Sequence, residues 1–235
     1  MKKLLILAVC AASASFVRAD SYNQTITAIF GAGNPDTGWA ADTGNGITLG
    51  LRGKNRDTGA TPNAAGVYSF ATGLNAAANR ALWNYEFSID SGTPTLSFYD
   101  FYLGVDMDAS AGISFAYVNP FTAYDDNSFG NAGTANGQGI EGTPAGNSAL
   151  ANSNFIAQNS QNIVFIGQNP FLNATYNYEL FAVAKGAGVA GPRLVDVGIT
   201  VVVGSGGSAV PDSGISVILI GATLIGFALV RRKVA

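Results

Sequence analysis

Large apolar and polar side chains alternate strictly along residues 83–90, whose sequence is WNYEFSID. One phase of the alternation contains Trp83, Tyr85, Phe87 and Ile89, and the other contains Asn84, Glu86, Ser88 and Asp90. Because successive side chains of a β-strand point to opposite faces, this pattern predicts a half-buried strand. The same phase assigns Glu86 to the polar face, where we expect a solvated carboxylate.

The period of two recurs along the rest of the chain. The further alternating segments are 47–51, 113–117, 176–180 and 195–203. A segment that is apolar on both faces, 96–105, is predicted to be a central strand. Clusters of Gly, Asn and Asp separate these segments, so we predict an all-β domain over residues 20–204, either an antiparallel β-sandwich or a jelly-roll-like fold. The polar segment 125–154 is predicted to be a surface loop.

Charge is distributed unevenly along the chain. Of its 12 basic residues, three lie in the first nineteen positions and three in the last five, whereas all 15 acidic residues lie between Asp20 and Asp212. The part between the two ends therefore has six basic and fifteen acidic residues, a net charge of −9. This balance argues against nucleic acid as a partner, since phosphate groups attract basic patches.

Two residue types with versatile chemistry are scarce. The chain contains no histidine, and its one cysteine, Cys10, lies within the N-terminal apolar run. The lack of histidine removes the commonest general base and the commonest zinc ligand. Residues 20–204 contain no cysteine, so their stability must come from packing rather than from disulfides.

The N-terminus has the three parts of a secretory signal peptide. Two lysines precede an apolar stretch, residues 4–17, and Val17 and Ala19 are the compact residues at the two positions that signal peptidase reads. We therefore expect residues 1–19 to direct export through the Sec machinery and to be removed by signal peptidase. A lipoprotein signal ending at Cys10 is disfavoured, because the apolar run before it is short and the preceding residue is bulky.

The C-terminus shows a second ordered set of segments. They are a Gly/Ser linker (205–209), the motif Val210, Pro211, Asp212, Ser213 and Gly214, sixteen uncharged residues (215–230), and the basic cluster Arg231, Arg232 and Lys233. A helix of sixteen residues rises about 24 Å, short of the roughly 30 Å hydrocarbon core, so we predict a single, marginal transmembrane helix. The basic cluster is expected to stay cytoplasmic, which leaves the β domain on the other side of the membrane.

Residues 210–235 resemble the PEP-CTERM class of sorting signals, in the variant named for VPDSG, which the motif matches letter for letter. The resemblance implies recognition of the tail by an exosortase, a membrane enzyme of Gram-negative bacteria that make extracellular polysaccharide. It also implies a transient inner-membrane anchor and a final place at the cell surface or in the extracellular matrix. We therefore expect a non-enzymatic exported protein that is a substrate of the exosortase.

Two acidic clusters are candidate calcium sites, and no other cofactor is predicted. Asp106, Asp108 and Ser110 space oxygen ligands as a calcium loop does, although the glycine and the glutamate of such a loop are not at the expected places. Asp125 and Asp126 form the second cluster. The alternative for both clusters is a solvated turn at the end of a strand.

Two further functions stand as alternatives to a non-enzymatic surface protein. An extracellular polysaccharide-binding module would use exposed rings, and Trp39 and Tyr124 are the candidates in a loop context. A secreted, carboxylate-dependent glycoside hydrolase would need two carboxylates around a sugar, for which the glutamates are Glu86, Glu141 and Glu179. No spacing pairs these glutamates, so no catalytic residue is predicted.

Overall fold

The computed structural model describes residues 21–61, 63–75 and 79–208 of the 235-residue chain. These residues form mainly strands with a few short helices, so the all-β prediction is confirmed. The predicted signal peptide, residues 1–19, and the predicted sorting region, residues 210–235, lie outside the described residues.

Fifteen strands and four short helices occur in the described ranges. The strands are β1 (Ser21–Gln24), β2 (Trp39–Gly44), β3 (Ile47–Asn55), β4 (Asn63–Ala64), β5 (Val67–Phe70), β6 (Leu74–Asn75), β7 (Arg80–Ala81), β8 (Trp83–Asp90), β9 (Tyr99–Asp106), β10 (Phe115–Val118), β11 (Ser128–Gly130), β12 (Ile140–Glu141), β13 (Ile156–Asn162), β14 (Ala174–Ala184) and β15 (Arg193–Val203). The helices are α1 (Pro120–Ala123), α2 (Pro144–Ala151) and two 3-10 helices, Leu96–Phe98 and Ile163–Ile166.

The described strands form two large sheets and a two-stranded ribbon of β6 and β7. The first sheet has seven strands in the order β1-β2-β3-β8-β13-β11-β12, all in antiparallel pairs. The second has six strands in the order β10-β9-β14-β15-β5-β4, and only β15 and β5 run parallel within it. The parallel pair departs from the predicted antiparallel pairing. Its strands are far apart in the chain, so no hairpin turn fixes their relative direction.

Strand β8 supplies much of the core between the two large sheets. Its side chains Trp83, Tyr85, Phe87 and Ile89 are at most 1% exposed, as the alternation predicts. The ring of Tyr85 stacks on Tyr178 of β14 with centroids 4.5 Å apart, and Trp83 meets Tyr178 edge-on at 6.4 Å. Each such aromatic pair contributes about 0.5–1.5 kcal/mol beyond the apolar area that it buries. These contacts join the two sheets around one core.

Glu86 is fully buried, contrary to the prediction of a solvated carboxylate. It lies on the outer face of β8 beside two cations of β3, with Arg52 Nε 2.6 Å from its Oε2 and Lys54 Nζ 2.7 Å from its Oε1. The hydroxyl of Ser160 in β13 also donates a hydrogen bond to Oε1, at 2.7 Å. Two cations and a hydroxyl thus compensate the carboxylate for the hydration that it loses on burial.

The segment 26–38, which precedes β2, covers this charge cluster. The Nη1 atom of Arg52 donates to the backbone carbonyls of Pro35 and Thr37, at 2.6 and 2.9 Å. The ammonium of Lys54 donates to a side-chain amide oxygen of the same segment. The outer face of the first sheet is therefore internal at β3 and β8, which explains why polar residues in the outward phase of β8 are buried.

The polar segment 125–154, predicted to be a surface loop, contains β11, β12 and α2. Phe129 and Ala151 from this segment are buried in the main core. Helix α2 begins after Thr143, whose hydroxyl accepts a hydrogen bond from the backbone N–H of Gly146. The loop prediction was wrong because two- or three-residue strands and an eight-residue helix give too little periodic signal.

The strand predicted over residues 113–117 is found as β10, which begins two residues later. Ile113 precedes the strand and is 61% exposed, and Tyr117, expected in the core, is 42% exposed. Strand β10 lies at a sheet edge, where a period of two does not determine which face is covered. The central strand predicted over 96–105 is found as β9, which is preceded by a 3-10 turn and paired on both sides.

Residues 205–208, predicted to belong to a Gly/Ser linker, are hydrogen-bonded to the β domain. The backbone N–H of Gly207 donates to Thr175 Oγ1 at 3.0 Å, and the carbonyl of Ser208 accepts from Ala111 N at 3.0 Å. The folded domain therefore continues to Ser208, two residues before the predicted sorting motif.

We predict that Glu86→Gln lowers the free energy of unfolding by about 3–5 kcal/mol, because two buried cations lose the charge between them. Urea unfolding of the purified protein measures the change. The control is Glu141→Gln at an exposed position of β12, which should change stability by no more than about 0.5 kcal/mol. Equal stability of the two variants would show that the charge of Glu86 contributes nothing.

Stability should also fall at high pH. Burial raises the pKa of Tyr85 and of Tyr178 well above the usual value. In the unfolded chain both phenols ionise at about pH 10, so above that pH the unfolded state binds fewer protons than the folded state. The stabilisation is therefore complete below about pH 9 and falls above about pH 10, by about 1.4 kcal/mol per pH unit for each tyrosine.

Urea unfolding at a series of alkaline pH values measures this slope. Tyr85→Phe should remove the contribution of one tyrosine, whereas Tyr22→Phe, at an exposed position, should leave the slope unchanged. A free energy of unfolding that stays constant through the alkaline range would contradict the prediction.

Candidate functional site

The predicted calcium loop is a turn whose carboxylates are engaged by the protein itself. Asp106 is fully buried, and its Oδ1 accepts hydrogen bonds from the backbone N–H of Asp108 at 3.0 Å and of Ser114 at 2.9 Å. Its Oδ2 accepts from the backbone and side-chain nitrogens of Asn177, both at 3.2 Å. Hydrogen bonds from the N–H and hydroxyl of Ser110 lower the pKa of Asp108. These oxygens organise the turn between β9 and β10.

The second predicted calcium cluster, Asp125 and Asp126, is exposed to solvent. Within the described ranges, no group of three or more His, Cys, Asp or Glu side chains is placed to hold a metal ion. Calcium takes six to eight oxygen ligands as a rule. Neither cluster gathers such a set from its side chains alone.

We predict that Asp106→Asn lowers the free energy of unfolding by about 1–3 kcal/mol, because the new amide NH2 would face backbone N–H donors. Chemical unfolding measures the loss, and Asp108→Asn, in a more exposed position, is the matched control with a smaller effect. The melting temperature of the wild type should be the same in calcium and in chelator. A rise in calcium that Asp106→Asn abolishes would instead establish a cation site.

Trp39 and Tyr124, the predicted sugar-stacking residues, are both buried. Trp39 lies in β2 and is 0% exposed, with the guanidinium of Arg52 4.1 Å from its ring centroid. Tyr124 is 7% exposed, and its hydroxyl accepts a hydrogen bond from the hydroxyl of Tyr85 at 2.9 Å. The ring of Tyr124 also packs against Phe87. Burial therefore leaves Trp39 no face on which a sugar could stack, and leaves Tyr124 only a small exposed fraction. The loop context predicted from the sequence did not reveal these packing partners.

The three glutamates proposed for a hydrolase do not form a pair. Glu86 lies on the outer face of the first sheet, whereas Glu179 lies on the outer face of the second sheet, in the phase opposite to the core residue Tyr178. The thickness of two packed sheets therefore separates them. Glu141 is exposed on β12, at the edge of the first sheet.

Glu179 belongs to a cluster of polar and aromatic side chains on the outer face of the second sheet. Its Oε1 lies 2.7 Å from Arg193 Nη2 and accepts a hydrogen bond from the hydroxyl of Tyr117 at 2.7 Å. The Nη1 atom of Arg193 also contacts Asp196 at 3.1 Å, and its guanidinium lies 4.1 Å from the ring centroid of Phe181. These polar groups bind one another, so the cluster stabilises the sheet surface.

The structure brings Tyr124, Asp125 and Asp126 into the wall of one pocket. Its main lining residues, which define the acidic pocket, are Tyr124, Asp125, Asp126, Ser160, Gln161 and Phe165. The volume is about 380 Å³. Sites for small molecules start at about 300 Å³. The pocket therefore has room for one small ligand unit.

Asparagine side chains hold the loop 124–127 that forms one wall of the acidic pocket. Asn127 Nδ2 donates to two backbone carbonyls in and just after α1, at 3.0 and 3.2 Å. Asn159 Nδ2 of β13 donates to the carbonyl of Asp125 at 2.7 Å and to Asn127 Oδ1 at 2.9 Å. The backbone of Asp126 is left-handed, with φ of 62°, a conformation that Asp and Asn tolerate better than most residues.

The 3-10 helix Ile163–Ile166 forms the opposite wall. Asn162 caps its start by accepting a hydrogen bond from a backbone N–H, and Gly167, with φ of 78°, ends it. This short helix leaves the ring of Phe165 60% exposed. The guanidinium of Arg80 lies 4.3 Å from the centroid of that ring.

Ser160, Gln161 and Phe165 are the defining residues of the acidic pocket that sequence reasoning did not find. Phe165 belongs to a short apolar run, and such a run predicts burial rather than an exposed ring. Gln161 lies in a stretch of amide side chains in which no position stands out. Only the proximity of β13, α1 and the 3-10 helix Ile163–Ile166 defines the site.

Comparisons with protein-family models, with curated proteins and with solved structures gave no match for this chain. In the part of the chain that the structure describes, no helix is long and apolar enough to cross a membrane. The predicted span, residues 215–230, lies outside that part.

Proposed function

We propose that this chain is a non-enzymatic exported protein whose β domain is displayed at the cell surface or in the extracellular matrix. An exosortase processes it at the motif Val210–Gly214. The observation that carries the proposal is the fixed order of that motif, the uncharged residues 215–230 and the basic cluster 231–233. The charged end beyond a short apolar span is typical of a segment that stops in the membrane.

The length of the apolar segment supports a transient anchor. Sixteen residues make a helix of about 24 Å against a hydrocarbon core of roughly 30 Å. Such a span holds the chain only marginally, which suits an intermediate that is released by cleavage. A permanent anchor would gain stability from a longer apolar run.

The end of the β domain and the start of the motif are close together in the sequence. Backbone hydrogen bonds hold the chain to the domain up to Ser208. The motif begins at Val210, two residues later in the sequence. The exosortase must therefore act directly beside the domain, with little free tether between them.

The described carboxylates do not favour the hydrolase alternative. Glu86 forms ion pairs with two cations, and Glu179 forms an ion pair with an arginine and a hydrogen bond with a tyrosine. A glycosidase needs two carboxyl groups within about 5–10 Å across a sugar. Glu86 and Glu179 lie on opposite outer faces of the two sheets, so this pair fails that requirement.

We predict that the mature C-terminus lies within or next to residues 210–214. Mass spectrometry of protein from envelope and matrix fractions identifies it, in the parent strain and in a strain without the exosortase. The double variant Pro211→Ala, Asp212→Ala should keep Ala235, because the enzyme no longer reads its motif. The matched control, Pro192→Ala with Asp57→Ala at exposed positions, should be processed normally.

Chains that end at Ala235 in every fraction of both strains would overturn the proposal. They would leave a β protein tethered to the membrane by an ordinary anchor. Processing that continues in the Pro211→Ala, Asp212→Ala variant would equally reject the motif as the recognised feature.

A further inference from the structure

The acidic pocket presents hydrogen-bond acceptors that the described part of the fold does not use. The carboxylates of Asp125 and Asp126 are exposed and accept no hydrogen bond from the described residues. Gln161 is 8% exposed, and its Nε2 donates to Asn159 Oδ1 at 3.0 Å. Gln161 also lines the pocket, and its Oε1 accepts no hydrogen bond from the described residues.

An exposed aromatic ring stands beside these acceptors. Phe165 is 60% exposed although phenyl rings are usually buried, and it lines the same pocket. The electron-rich face of an aromatic ring attracts groups with partial positive charge. The C–H groups on one face of a pyranose ring have that character, while the hydroxyl groups at its rim are hydrogen-bond donors. The pocket thus offers a partner to both parts of a sugar.

Charge restricts the sugar that fits. Asp125 and Asp126 are the charged residues that line the pocket, and the guanidinium of Arg80, which is not a lining residue, packs on the ring of Phe165 at 4.3 Å from its centroid. Residues 21–208 have six basic and thirteen acidic residues, a net charge of −7. A uronate or a sulfated sugar would meet repulsion from these carboxylates, whereas a neutral or an amino sugar would not.

A metal ion explains the pocket less well. The acceptor set is two carboxylates and one amide oxygen, fewer than the six to eight oxygens that calcium takes. A metal would also leave the exposure of Phe165 without a role, since an aromatic ring is not a ligand for such an ion. The combination of ring and acceptors is what favours a sugar.

We propose that the acidic pocket binds one hexose unit, neutral or cationic, of an extracellular glycan. Sugar hydroxyls donate to Asp125, Asp126 and Gln161 Oε1, and one face of the pyranose ring packs on the phenyl ring of Phe165. The proposal rests on the display of the domain outside the cell, which brings it into contact with such glycans.

The test is binding of the full chain, purified in detergent from the envelope of a strain without the exosortase, to an array of neutral, amino-sugar and uronate-containing glycans. We expect binding to at least one neutral or amino-sugar glycan and none to uronate polymers. Titration calorimetry then gives the affinity for the best array member. The double variant Asp125→Asn, Asp126→Asn should weaken it at least about tenfold, because charge-assisted hydrogen bonds become neutral ones.

Phe165→Ala should weaken binding about two- to tenfold, through loss of the ring contact. Asparagine suits the left-handed backbone of position 126, and Phe165 is exposed, so all these variants should fold. Unchanged circular dichroism and melting temperature check this. The matched controls are Phe171→Ala, which removes a ring that is 64% exposed outside the pocket, and Glu141→Gln. Both should bind as the wild type does.

Three outcomes would overturn the proposal. They are no binding to any array member, binding to uronate polymers alone, and binding that the pocket and control variants weaken equally. Because affinity is measured on purified protein, a failure to bind glycans would not affect the result on C-terminal processing. Conversely, a C-terminus at Ala235 would overturn the processing proposal but would not affect a measured glycan affinity.

Discussion

The stacking of Tyr85 on Tyr178 joins the two large sheets, and the rest of the domain is arranged around it. These tyrosines lie on β8 and β14, which are interior strands of their sheets. Their hydroxyls extend the contact, since Tyr85 bonds to Tyr124 and Tyr178 bonds to Gln168. Gln168 in turn donates to the carbonyl of Asp106 at 2.7 Å. One buried aromatic pair thus fixes the positions of α1, of the turn after β9 and of the loop before β14.

The aromatic and aliphatic side chains of β8 face the core, so its polar side chains lie on the opposite face. These polar side chains are buried as well. Glu86 is the centre of this second interior, where Arg52 and Lys54 of the neighbouring strand neutralise it. An ion cluster of this kind adds little net stability over apolar residues, yet loss of one member is costly. The segment 26–38 therefore depends on the cluster for its place over the sheet, because Arg52 also holds its carbonyls.

The same reliance on polar side chains shapes the acidic pocket. Asn127 and Asn159 satisfy the backbone of the loop below Asp125 and Asp126, so the carboxylates are presented on a fixed support. This is the arrangement expected of a preorganised binding site, in which neighbours hold the groups that meet the ligand. The proposed sorting motif begins at Val210, two residues after Ser208 in the sequence, so the processing that we propose would take place next to the β domain.

Sequence alone determined the strand at residues 83–90 and its core face, because the side-chain period is a local property of the backbone. It also supplies the whole argument for export and sorting, through short motifs that need no fold around them. Tertiary structure alone decided the burial of Glu86 and Trp39, since the segment that covers them is not paired with them by any local pattern. Three residues of the acidic pocket, Tyr124, Asp125 and Asp126, were candidates from the sequence, and they are adjacent in the chain. Gln161 and Phe165 line the pocket because segments that are far apart in the sequence meet there. The periodicity of a local segment carries no information about such contacts.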